Sequence, residues 1–239
     1  MIAMNPAYGE GTIRVLIHTL RLSKDTNRVE LGDIALSART SESFARDVLA
    51  GVTGTTRNDW ISLGEGLRIQ LALEIARAGL LREAARALTW QEFETFAERC
   101  LEEAAFQTEK SVQVKGDDRG WQIDVVGFRG ELVLAIDCKH WNTPSNISRF
   151  KPVADHQRTA TSHLQTILRD RTIGRDSMWQ ALPMILTLSE PPAQFSQGTV
   201  LVSIEKLPGF LNSVTPYDEN LPFLTLPSTI VENPMSHSN

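Results

Sequence analysis

The sequence predicts an α/β protein in two parts: a helical N-terminal third that carries a short β wing, then a mixed β-sheet flanked by helices. Three observations predict it. Apolar residues recur at helical spacing through most of residues 11–86. Residues 121–141, WQIDVVGFRGELVLAIDCKHW, alternate like a β-hairpin around a glycine-containing turn. Two later runs, ALPMILTLSE (181–190) and GTVLVSIEKL (198–207), read as apolar strands that complete a sheet of about four or five.

The chain has 239 residues, 41% hydrophobic and 22% charged, the balance of a folded globular protein. Net charge is -5, which argues mildly against a large phosphate-binding surface. The charge is uneven. Residues 1–88 hold 11 Lys+Arg against 10 Asp+Glu, and residues 89–239 hold 13 against 19. The two cysteines, Cys100 and Cys138, fall on a helix face and a strand, which fits a reduced intracellular protein rather than a disulfide scaffold. No apolar run reaches membrane-spanning length and the start lacks an apolar signal core, so a cytoplasmic protein with no membrane partner is expected.

In residues 11–24, Ile13, Leu16, Ile17 and Leu20 keep helical spacing. A second helix is expected over 31–38. A third follows Thr40 or Ser41 as N-cap and ends at Gly51 and Gly54. GTTRNDWISLGEG reads as a short hairpin or wing, with Ile61 and Leu63 on one face. One longer helix is then expected from 65 to about 86, with Leu67, Leu71, Ile75 and Ala78 on its stripe. Three helices, a wing and a closing helix make a winged helix-turn-helix over residues 1–88. In that motif the second helix of the pair enters the major groove, so Arg39, Ser41, Ser43, Arg46 and, on the wing, Arg57 are the expected DNA contacts. Such domains also serve as dimerisation or docking modules, and Glu42, Asp47 and Asp59 offset the positive residues here. No Gly/Pro/Ser-rich linker follows, so the two parts are expected to pack together.

Residues 89–214 make the second domain. Thr89 caps a helix over 89–105, and Glu92 completes a capping box. Trp90, Phe93, Ala97, Cys100, Leu101 and Ala104 form its apolar stripe, with Glu94 at the stripe's edge. A carboxylate there needs a partner, unless it snorkels to water. A short strand is expected over 111–115, the hairpin of 121–141 next, and a helix over 153–169. Pro183 is expected to mark a strand start, and PGFLNSV a short last helix. The tail, 215–239, reads as irregular.

The hairpin carries the chemistry. With Arg129 and Gly130 as the central turn residues, Asp124 pairs with Ala135. Period-two alternation then puts Asp124, Asp137 and Lys139 on one face, and Ile123, Val125, Leu132, Leu134, Ile136 and Cys138 on an apolar one. Asp124 and Asp137 become diagonal neighbours roughly 7 Å apart at the backbone. Two carboxylates at that separation can share a hard cation such as Mg²⁺ (or Mn²⁺), with the Cys138 backbone carbonyl as a further oxygen. Lys139 can orient an attacking water or balance charge on a phosphate. An Asp–Lys ion pair at a sheet rim is the plainer alternative, and a lone DxK is weak evidence. The combination with an inward Glu94 is stronger. The histidines show no zinc spacing with either cysteine.

Glu94 on a helix, IDVV with Asp124, and AIDCK with Asp137 and Lys139 resemble the PD-(D/E)xK nuclease superfamily, in its Mrr-type and archaeal Holliday-junction-resolvase-like form. Phe93-Glu94 followed by Phe106 is similar to the Mrr-like opening. The chain has Gln122-Ile123 where the pattern has proline, and Asp137 where many members have glutamate. The resemblance covers about residues 89–210. It implies a restriction-endonuclease-like sheet and a Mg²⁺-dependent endodeoxyribonuclease of restriction, repair or recombination type. It also implies that Asp124 and Asp137 hold the metal, that Lys139 assists the water, and that Glu94 completes the shell through a water. Gln157 on the next helix is a further catalytic candidate, as in several relatives. Cutting both strands of DNA with one site per chain favours a homodimer. A non-catalytic DNA-binding or regulatory protein on a nuclease-fold scaffold, and an RNA-processing nuclease, are the alternatives.

Overall fold

The computed structural model describes residues 8–54, 58–116, 119–141, 146–171 and 179–224. The chain is a mixed α/β protein. Its N-terminal part runs α1 (Glu10–Leu22), β1 (Arg28–Glu30), α2 (Leu31–Ala38), α3 (Glu42–Thr53), β2 (Trp60–Ser62), α4 (Glu65–Arg77) and α5 (Leu81–Arg86). The Ser41 side chain accepts from the Phe44 N–H and starts α3, and Gly54 (φ 90°) stands at its C-cap. Ile61 and Leu63 are both buried, as their spacing predicts. The expected wing hairpin differs: β2 pairs antiparallel with β1, some thirty residues upstream. The expected single helix over 65–86 is two, because Gly79 takes φ 86° between α4 and α5.

The second part runs α6 (Trp90–Glu103), β3 (Gln107–Lys115), β4 (Gly120–Arg129), β5 (Leu132–Lys139), α7 (Ile147–Arg171), β6 (Gln180–Thr187), β7 (Phe195–Ser196), β8 (Thr199–Ser203) and α8 (Leu207–Ser213). The strands form a six-stranded sheet in the order β3-β4-β5-β6-β8-β7. β3, β4 and β5 are antiparallel, β5, β6 and β8 parallel, and β7 antiparallel to β8 across a Gln197–Gly198 turn with both φ values positive. β3 and α7 are longer than expected, and β7 adds a strand too short to leave a pattern. Pro183 lies inside β6 rather than at its start. The β8 ladder begins only at Met184, so that edge is still open at Pro183, where a missing N–H is tolerated.

One face of the sheet, with Val125, Leu134, Ile136, Met184 and Leu186, shares a continuous core with α6 and helices α1–α5. The other face packs Val126, Val133 and Ala135 under Ala160, Leu164 and Leu168 of α7. Gly127 is required by this packing: a Cβ there would stand 2.5 Å from the Leu101 Cδ2 of α6. The α6 stripe is rotated from expectation. Trp90 is 61% exposed, while Glu92 and Phe96 are buried. The start of the tail, 215–224, is irregular but packed: Leu224 bridges Ala181, and Leu221 and Phe223 pack against the core.

Glu92 is buried because Arg68 of α4 meets it. The guanidinium donates to both carboxylate oxygens (2.5 and 3.1 Å), to the Leu20 carbonyl (2.7 Å), to the Ala87 carbonyl (3.0 Å) and to the Ser23 hydroxyl. Burial alone would raise the Glu92 pKa. Hydrogen bonds from Arg68 and from the Thr89 N–H outweigh it and hold the carboxyl below its ordinary value. Arg68→Ala leaves that carboxylate buried without its cation, and a loss of about 3–5 kcal/mol is expected. Chemical denaturation of the variant checks it; a loss under about 1 kcal/mol would show that the pair behaves as a surface one.

Candidate active site

The hairpin turn is Gly130–Glu131, with Gly130 at φ 60° and Arg129 paired to Leu132. It is not Arg129–Gly130, so the register moves by two residues. A shift of two keeps parity, so alternation alone would still set Asp124 on the face of Asp137 and Lys139. Carried one step beyond Val125↔Ile136, the register sets Asp124 directly opposite Asp137 instead of diagonal to it.

The alternation itself slips at Asp124. Ser111 takes φ 53°, and Ser111–Asp124 is the one pair absent from the β3–β4 register between Lys110↔Val125 and Val112↔Ile123. Trp121 and Ile123 consequently join Val126 on the α7 side, and Val125 faces α6. Ile123 therefore does not share the face of Val125 and Leu134, contrary to strict alternation. Released from both ladders, the Asp124 carboxylate accepts from the Cys138 N–H (2.8 Å). This side chain closes the hairpin where its backbone pairing stops.

Asp137 is buried near the end of β5. Lys139 Nζ lies 2.7 Å from each of its oxygens, but only Oδ1 receives a well-directed hydrogen bond. Glu94, 9% exposed, arrives from α6. Desolvation, then the nearby Asp124 charge, raise its pKa to about 7, against the pull of Lys110 and Lys139. The Asp124 pKa is raised too, by burial and by Asp137, despite the Cys138 N–H. Glu94, Asp124, Asp137 and Lys139 thus act on one another electrostatically. Gln157 of α7 is fully buried; its Nε2 donates to the Ala135 carbonyl (2.7 Å) and its Oε1 has no partner. It grips β5 two residues before Asp137.

Three residues beyond the sequence candidates border this cluster. Lys110 on β3 donates to Thr95 of α6 (2.8 Å) and lowers the Glu94 pKa. Arg119 stacks on Trp121 (3.8 Å), whose ring also meets His156 of α7 (4.5 Å). His156 is depressed by burial while Asp137 draws its pKa upward. Lys110 falls one residue before the strand expected over 111–115, and the other two carried no sequence signal.

The donors fit a hard cation in kind, being carboxylate oxygens, one of them buried without a directed hydrogen bond. In arrangement they are looser. Among the described residues, no group of three or more His, Cys, Asp or Glu side chains is gathered so that it could hold a metal ion.

The expected DNA contacts are scattered in their behaviour. Arg39 ends α2 in a left-handed conformation (φ 54°) and is exposed. Ser41 is engaged as the α3 cap, and its hydroxyl is 3.0 Å from that of Ser43. Arg46 is bound to the Asn58 carbonyl (2.7 Å) and to Asp59 (2.8 Å). Arg57 lies outside the described residues.

The Glu94 carboxyl titrates near 4.5 in an unfolded chain and near 7 here. Between those values the folded chain holds the extra proton, so stability falls as pH rises through that window and the loss is complete above it. Glu94→Gln removes this slope. The variant should gain on the parent between about pH 5 and about pH 7, seen in denaturation midpoints. A difference independent of pH would mean that Glu94 titrates as an ordinary surface acid.

Comparison with protein-family profiles finds no match. The chain is 27% identical over 137 residues to an uncharacterized protein of Archaeoglobus fulgidus, which covers 57% of this chain and all of that protein. Among solved structures it is similar to a protein of unknown function, AF1548 (24% identity, TM-score 0.30, 43% of this chain and 50% of that one). It is also similar to protein VC1899 from Vibrio cholerae (14% identity, TM-score 0.35, 85% of this chain and 48% of that one). The chain spans about half the length of these two solved proteins. No helix among the described residues is long and apolar enough to cross a membrane.

Proposed function

We propose that this chain is a metal-dependent nuclease that hydrolyses phosphodiester bonds in DNA, with a restriction-endonuclease-like core behind a winged-helix N-terminal part. The observation that carries the reading is the convergence of Asp124, Asp137, Lys139 and Glu94. Asp124 and Asp137 lie one step beyond the last β4–β5 pair, a lysine balances one of them, and a third acid from α6 is pushed up by burial and by the Asp124 charge. Packing alone gives no reason to collect three carboxylates where they repel. The order α1-β1-α2-α3-β2 supports the winged-helix reading, and Mg²⁺ or Mn²⁺ is the cofactor that oxygen donors favour.

In this reading Asp124 and Asp137 would hold the cation, with the Cys138 carbonyl as a further oxygen and Glu94 acting through a water. The cation supplies Lewis-acid polarisation of the phosphate and eases deprotonation of water. Lys139 orients the attacking water and offsets charge on the phosphate. Glu94, with a pKa near neutrality, is suited to take the proton from that water. Gln157 fixes the β5 backbone that carries Asp137.

The ion pair that Lys139 already makes with Asp137 favours a second reading, in which the cluster is a neutralised scaffold and the protein only binds nucleic acid. Cleavage separates the two. Purified protein with Mg²⁺ or Mn²⁺ should cut at least one of linear, branched, mismatched or single-stranded DNA. Asp137→Asn and Lys139→Ala should each lower the rate by at least about 100-fold with the melting temperature little changed. No cleavage of any of these, or of RNA, sinks the catalytic reading.

A divalent cation that binds the folded site should also raise the melting temperature of the parent. Asp124→Asn with Asp137→Asn should abolish that rise. Equal shifts in both proteins would place the cation elsewhere.

A further inference from the structure

Eleven Lys and Arg side chains lie in residues 1–88. Arg14, Arg28, Arg46, Arg68, Arg77 and Arg82 each have an acidic partner. Arg57 is outside the described residues. Among the described residues, Arg21, Lys24, Arg39 and Arg86 form no ion pair. Three of those four, Arg21, Lys24 and Arg86, line a single cleft of about 410 Å³, with no acid among the described residues of its wall.

The fold builds this cleft. Arg68 holds the Leu20 carbonyl and Ser23 hydroxyl at the end of α1, and the Ala87 carbonyl just past α5. The two helix ends are thereby fixed beside each other, and the side chains that flank those anchors are the three cations. Helix dipoles favour Arg21 and Arg86 in their last turns, but give no reason for Lys24 or for a shared wall. Like charges held together in this way repel unless an anion meets them.

The cleft also lies beside the catalytic end of the sheet. His140 directly follows Lys139. Its Nε2 is 2.9 Å from the Ala85 carbonyl, its ring packs against Phe93, and its pKa is lowered by burial first, with the Lys24 charge adding to that. The basic wall is thus joined, through Ala85 and His140, to the end of the strand that carries Asp137 and Lys139.

We infer that Arg21, Lys24 and Arg86 bind backbone phosphates of the nucleic-acid strand and lead it to the acidic cluster. This rests on the nuclease reading for its direction, but not for its test. Each cation neutralising one phosphate contributes about 0.7 (single strand) to about 0.9 (duplex) to the slope of log affinity against log salt.

The test is fluorescence anisotropy with labelled single-stranded and duplex oligonucleotides, in an Asp137→Asn background that prevents cutting. The triple variant R21Q/K24Q/R86Q should lose affinity by at least about tenfold at low salt, and its salt slope should fall by about 2 to 3. K206Q, at an exposed lysine paired with Glu190, should change little, and melting curves should show all variants folded. Unchanged affinity and slope in the triple variant overturn the inference. So does a parent that binds no oligonucleotide, or one that binds inorganic phosphate in this cleft without binding oligonucleotide. Loss of binding in the triple variant, with no cleavage by the unmutated chain, would sink the nuclease reading and leave this one standing. Cleavage with an indifferent triple variant would do the reverse.

Discussion

Arg68 is taken out of water by several parts of the chain at once. A guanidinium in that position is tolerable only when its donors are met, and here they meet Glu92, two backbone carbonyls and a hydroxyl. Glu92 is bound in turn by the first turn of its own helix through Thr89. The pair therefore sets where α6 begins relative to α1, α4 and α5. Glu94 is two residues further along the same helix. Its approach to the sheet is a consequence of an ion pair on the far side of the helix start.

The acidic cluster is held by opposing demands. Burial and mutual repulsion press Glu94 and Asp124 toward protonation, while the Cys138 N–H favours the Asp124 anion and Lys139 lies on Asp137. The paired slip at Ser111 and Asp124 makes this possible. In an unbroken ladder Asp124 would stand on the α7 face among Val126 and Val133. The slip frees the carboxylate to reach a backbone donor on the next strand. Local irregularity in β3 and β4 thus sets the Asp124 side chain, and Gln157 steadies β5 from the opposite layer.

Much of this was legible in the sequence, for definite reasons. Tight hairpins preserve parity under a shift of two residues, so the shared parity of Asp137 and Lys139, and Asp124 standing across from them, followed from alternation even with the turn misplaced by one, while the direction of the Asp124 side chain did not. The Thr89–Glu92 capping box is local and was read directly. The slip at Asp124 was not legible, because a left-handed serine leaves no composition signal. Nor was the burial of Arg68 and Glu92: each looks like a surface charge until its partner, far away in sequence, is in place. The strands β1 and β7 are too short for periodicity to register, and the break at Gly79 sat inside a pattern that continued on both sides. Arg46 was readable as a cation but not as one already bound to Asp59.

The rims of the sheet set a further limit. On one rim β3 turns mostly polar, partly or wholly exposed residues outward, with Glu109, Lys110 and Lys115 among them. On the other, β7 is two residues long and folds back at once through Gln197 and Gly198. Charged or very short edge strands are poor templates for pairing with another chain. Continuation of the sheet from one molecule into the next is thereby disfavoured. Two copies that cut opposite strands of a duplex would have to meet through helices or loops, leaving the spacing between their acidic clusters free of any strand register.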